Sequence, residues 1–257
     1  AITSVKAALI SLPNSRVAKL RINTGWPDSL GSNNLVSDPN LFDPNLFLPH
    51  FLTHQRCTPR TSSQAPATPT VLQPAVTALE AEQYSVCVSL AQAHCQHPDL
   101  AVQADAWRLC ALAHARMHHW SQAFDHYHHL FEREPTTLNA LQLATTSVMG
   151  GELTRGDAWF DKAAALNDEA REMPPARMRT AYLSALEQAG EFEATLPHLD
   201  WLAQGYMAMG ITDDHFVWMR GFPFFGEFLD KSRKLLGQVL SESDARAWYE
   251  RMSEKLD

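Results

Sequence analysis

The chain has 257 residues, enough to bury a substantial core in one large domain or in a domain with an appendage. Hydrophobic residues make up 45% and charged residues 19%, a globular balance, and no stretch nears the roughly 18 unbroken apolar residues of a membrane-spanning helix. The net charge of −8 divides into +3 over residues 1–66 and −11 over residues 67–257, which argues against a nucleic-acid-binding body, because neutralising phosphates requires clustered Lys and Arg.

The opening residues, AITSVKAALISLP, read as a short helix over 2–12. Their single lysine and short apolar run fall below a secretory signal. Residues 24–70 are rich in Pro, Asn, Ser, Asp and Thr. Proline removes a backbone donor and turns the preceding residue toward extended conformations, so residues 1–66 are expected to be a basic, Pro-rich and mostly extended segment. Within it DPNLF occurs twice, at 38–42 and 43–47. Each copy sets a turn and then an apolar Leu-Phe anchor: Leu41 and Phe42, then Leu46 and Phe47. Such a segment suits packing on its own helical body or on that of a neighbouring molecule. Residues 60–70 read as a tether.

From about residue 71 the texture becomes rich in alanine and leucine, with helical periodicity and few prolines. A first helix is expected over 71–81 and a second carrying Val86, Leu90 and Ala93 before Pro98. The next stretch, through "HARMHHWSQAFDHYHHLFEREP", holds six of the twelve histidines. Trp107, Ala111, His114, Ala123, Tyr127 and Pro135 stand there at the spacing W-x2-L-G-x2-Y…A-x3-F…P. Leu143, Ala144, Gly156, Phe160 and Ala163 repeat the frame, with Asp168 in place of the proline. Ala181, Tyr182, Ala194 and His198 repeat it more loosely. After Gly210, Thr212, Asp213 and Asp214 offer caps for a helix containing Phe216, Val217 and Trp218. A dense aromatic run (Phe222, Phe224, Phe225, Phe228) follows, and Ser241 with Asp244 starts the last helix.

These residues resemble the tetratricopeptide repeat, most closely between Trp107 and Pro135. The resemblance spans about 70–203 and implies an all-α fold, a right-handed α-solenoid of helical hairpins. The divisions it suggests are the N-terminal segment at 1–66, repeats over 67–203, and aromatic capping helices over 204–257 that cover the last hairpin. In such arrays the first helix of each repeat lines a concave groove that holds a peptide or a partner helix. Transferred to this chain, the groove positions are Asp105, Arg108, Leu112, Arg116, Leu141, Thr145, Met149, Arg179 and Leu183. Three arginines there suit a carboxylate-bearing segment. The resemblance therefore points to an adaptor, a chaperone of the kind bacterial secretion systems use, or an immunity-type protein, with another protein or peptide as partner.

Catalysis finds little footing. There is no nucleophile elbow, phosphate-binding loop, dinucleotide fingerprint or zincin motif. The three glycines of GGELTRGD, at 150–157, fall at an inter-helix turn and not after a strand. No cofactor is expected. The contrasting reading is a metal-binding regulatory or enzymatic protein using the histidines of 114–129, with His114 and His118 as the only pair at the helical HxxxH spacing. The four cysteines, Cys57, Cys87, Cys95 and Cys110, form no CxxC pair. They read as buried free thiols of a reducing, cytoplasmic compartment.

Overall fold

The computed structural model describes residues 70–256. The extended segment over 1–66, its short helix at 2–12 and Cys57 lie outside the described residues. The described chain is all helical. After a short 3-10 turn at Thr70–Leu72 come α1 (Gln73–Glu80), α2 (Tyr84–Gln92), α3 (Leu100–Arg116), α4 (Trp120–Arg133), α5 (Thr137–Met149) and α6 (Leu153–Ala170). They are followed by α7 (Pro175–Ala189), α8 (Phe192–Met209), α9 (Asp214–Met219), α10 (Phe225–Val239) and α11 (Glu242–Ser253). None of these helices is long and apolar enough to cross a membrane.

Local chemistry sets the boundaries. Asp99 starts α3 by accepting from the Ala101 N–H at 2.9 Å, and Thr136 starts α5 by accepting from the Asn139 N–H at 3.2 Å. Asp213 and Ser241 do the same for α9 and α11, accepting from the N–H groups of Phe216 and Asp244. Gly210, at φ +63°, ends α8 in the left-handed conformation that an L side chain rarely adopts. His118 does the equivalent work after α3 without being glycine. Its φ is +58°, its N–H donates to Ala115 O, and the His119 N–H donates to His114 O, which closes the last carbonyls of the helix.

Each helix packs on its neighbour in sequence from α1 to α8, and α10 and α11 both return onto α8. Within α1–α8, α1 also touches α3, and α5 touches α7. The core is accordingly a chain of three apolar clusters joined by shared helices. In α3, Leu109, Cys110 and Ala113 face the first cluster with α1 and α2, while Ala111, Leu112 and Ala115 face the second. In α7, Met178, Tyr182 and Leu186 face the second cluster, while Ala176 and Leu183 face the third with α8, α10 and α11. A helix that buries two faces must be apolar around most of its circumference, and α3 and α7 are.

Most of the repeat-spaced residues sit at the helix contacts. Ala111, Ala123 and Tyr127 are buried between α3 and α4, and Leu143, Ala144, Phe160 and Ala163 between α5 and α6. At Gly156 a Cβ would come within 2.4 Å of Val148 Cγ2 and 3.1 Å of Ala144 O, so α5 and α6 approach as closely as they do because this residue has no side chain. Upstream the expected register is off by one. Val86 and Leu90 are 47% and 39% exposed, and α2 instead buries Cys87 and Ala91. At the other end, α8 runs unbroken through Ala203, so the aromatic segment continues the last hairpin's second helix. Its rings close over Tyr206, which touches Phe222, Phe225 and Phe228 at centroid distances of 4.9–5.1 Å.

Candidate functional site

The nine groove positions divide by burial. Leu112, Leu141, Thr145 and Leu183 are buried in the clusters, at 3%, 3%, 8% and 1% exposure, so they act in helix packing and are not open to a partner. Asp105, Arg108, Arg116, Met149 and Arg179 are half-buried. These five follow α3, α5 and α7, the first helices of successive hairpins.

Arg108 and Arg179 each link helices. Arg108 donates to Asp105 and, at 3.0 Å, to Glu134, which ties α3 to the end of α4. Burial raises the Asp105 carboxyl from its ordinary value, partly offset by the attraction of Arg108. Arg179 lies over the Trp201 ring at 4.7 Å and the Phe160 ring at 5.5 Å. Its Nη1 is 3.3 Å from His198 Nδ1, so a neutral imidazole accepts from the guanidinium. Burial, with Arg179 adding to it, pushes the His198 imidazole down to about 4. Arg108 thus ties the two helices of one hairpin together, while Arg179 bridges α7 to α8 and reaches Phe160 of the preceding hairpin.

The histidines sort differently from their spacing. The helix ends at Arg116, so His114 and His118 are not one turn apart on a continuous helix. His118 is exposed and set edge-on to Trp120 at 5.3 Å. The ring that stacks on His114 is His126, from α4, at 5.5 Å and 12°. Nδ1 of both His114 and His126 is buried with no hydrogen-bond partner. Burial lowers both imidazoles from their ordinary value, and each also has a neighbouring histidine that disfavours charge. His129 stacks on Trp107 at 5.6 Å, and His128 stands edge-on to Trp159 at 6.0 Å.

Beside His126 lies a pair that sequence spacing did not bring together. Cys95, in the turn after α2, and Cys110, in the middle of α3, place their sulfurs 3.9 Å apart. The ligand atoms of Cys95, Cys110 and His126 all lie within 4.8 Å of one another, the one such cluster of three among the described residues. Gln103 holds the turn in place by donating to Cys95 O at 2.9 Å. The Cys110 thiol is pushed up by its hydrogen bond with Cys95 and by burial, while Cys95 is lowered by the same hydrogen bond. Comparison with protein families, curated proteins and solved structures returns no match.

Proposed function

We propose that the protein is an interaction scaffold, an adaptor, chaperone or immunity-type binding protein without chemistry of its own. It would hold a peptide or helix of another protein along the first helices of a right-handed, tetratricopeptide-like solenoid. The observation that carries this is the direct contact of α5 with α7, echoed by α1 with α3. Where first helices run side by side, as α5 and α7 do, their outer side chains form one strip, the geometry on which helical repeats build extended binding surfaces. Met149 and Arg179 would supply apolar and charged contact on that strip, with Asp105 and Arg116 of α3 beyond it, and the arginines suit a carboxylate-bearing segment of the partner.

The test is capture of the partner by the full chain, identified by mass spectrometry and then measured against variants. Arg116→Glu combined with Met149→Gln changes two half-buried positions on different helices. The proposal expects capture to fall at least about tenfold, as loss of central interface side chains does, with the helical circular dichroism signal retained. Undiminished capture by a folded double variant would refute the groove assignment.

A further inference from the structure

We propose that Cys95, Cys110 and His126 form a metal site for a thiophilic divalent cation, zinc above all, built from the turn after α2 and from α3 and α4. Three observations carry it. The first is the sulfur separation. Two thiolates on a tetrahedral zinc, with bonds of about 2.3 Å, stand about 3.8 Å apart, and these two are at 3.9 Å. A disulfide would require the same sulfurs to close to about 2.05 Å, a far larger movement for one thiol fixed in a helix core. The second is the convergence of a third ligand type from a different helix, with all three donor atoms inside 4.8 Å. A sulfur and an imidazole nitrogen on one zinc lie about 3.5 Å apart, so closing the site asks for roughly an ångström of movement. His126, half-buried on the surface of α4, is the residue free to make it.

The third observation is an orphaned polar atom. His126 Nδ1 is buried without a partner, as is Nδ1 of the stacked His114. A buried nitrogen with nothing to bond keeps its desolvation cost uncompensated and calls for an ion or a water to explain it. Ligation at one ring nitrogen of His126 fixes the tautomer and leaves the other nitrogen to be satisfied by solvent or by His114. The chemistry balances simply: zinc displaces the thiol protons of Cys95 and Cys110, releases two protons to solvent, and takes the neutral imidazole of His126. Three protein ligands leave the fourth tetrahedral position for solvent or an exogenous donor. Two thiolates and one imidazole suit zinc better than magnesium or calcium, which take oxygen donors.

Coordination would join the first two hairpins through a bond that the apolar clusters do not provide. The consequence is specific to this trio. His118, which stands on Trp120, and His129, which stands on Trp107, take no part.

The experiment uses the untagged full chain, reduced and stripped with chelator. It is titrated with Zn²⁺ against a chromophoric competitor and with Co²⁺ as a spectroscopic stand-in. One metal per chain is expected, with a Zn²⁺ dissociation constant below about 1 μM, together with a thiolate-to-cobalt charge-transfer band and the visible bands of tetrahedral cobalt. Cys95→Ser and Cys110→Ser should each weaken zinc by at least about tenfold and halve the charge-transfer intensity. His126→Ala should weaken zinc while keeping that band, and His118→Ala and His129→Ala should change nothing. Because the buried Cys110 is sensitive to substitution, a second measurement needs no variant: saturating Zn²⁺ should slow alkylation of Cys95 at least about tenfold. Absence of the thiolate band, zinc binding that survives the cysteine changes in folded protein, or alkylation of Cys95 indifferent to zinc would each overturn the site.

Discussion

Replacing His198 with phenylalanine should change the pH dependence of stability more than stability itself. His198 is 8% exposed at the α7–α8 contact, set edge-on to Phe160 at 5.0 Å and to Tyr182 at 5.2 Å, with the Arg179 guanidinium beside it. Folding lowers its pKa from 6.5 to about 4, first by burial and then by the positive neighbour. Between those values the unfolded chain holds a proton that the folded chain does not, so stability rises with pH across the window. The contribution is fully present above about pH 6.5 and is lost as the pH falls toward 4. At about 1.36 kcal/mol per pKa unit the whole window is worth about 3 kcal/mol, of which about 2 kcal/mol has gone by pH 5. Urea denaturation of wild type and His198→Phe at pH 8 and pH 5, with chelator present, isolates the effect as a difference of differences. Wild type should lose about 2 kcal/mol more than the variant. Equal losses in the two proteins would show that His198 is not held neutral, and would refute the packing described around Arg179.

Two further changes probe the hairpin contacts. Gly156→Ala should destabilise the protein by about 1–2 kcal/mol in thermal or urea unfolding, although alanine favours an isolated helix by about 1 kcal/mol, because the Ala144 carbonyl at 3.1 Å belongs to a helix backbone and cannot step aside; a stabilised variant would mean that α5 and α6 sit further apart. Glu187 bonds Lys231 at 2.8 Å and Lys234 at 2.7 Å, which links α7 to α10. Burial alone would raise Glu187, but the two lysines more than offset it and hold the carboxyl below its usual range. Glu187→Leu should cost about 2 kcal/mol by leaving the mostly buried Lys231 without its carboxylate. Adding Lys231→Met should restore at least half of that in denaturant unfolding, and strictly additive losses would count against a coupled pair.

The helical class, several helix caps and stops, and the tightest helix contacts were legible in the sequence because local chemistry determines them. Caps such as Asp213 and Ser241, the stop at Gly210, and the small residues Ala111, Ala123 and Gly156 act within a turn or across one hairpin. The register of α2 was not legible. Its nine residues, YSVCVSLAQ, are apolar on more than one side, so periodicity favours Val86 and Leu90 as readily as Cys87 and Ala91, and packing against α3 decides. The groove residues were read from a register that locates the first helices but not which side of each meets the next hairpin, and four of the nine fell inside the core. The His114–His118 spacing misled because helix α3 stops two residues before His118. The Cys95–Cys110–His126 cluster depends on the path of the turn after α2 along α3, which no spacing rule encodes. A Cys in that turn, a Cys on a doubly buried helix and a His on the next helix were the available signals.

The most direct test of the scaffold reading is hydrogen exchange on the full chain with and without its captured partner. The account predicts new protection concentrated on α3, α5 and α7, around Arg116, Met149 and Arg179, with α9 and α11 unchanged. Protection confined to α9–α11, around the exposed Trp218 and Met219, with the first helices unaffected, would contradict it.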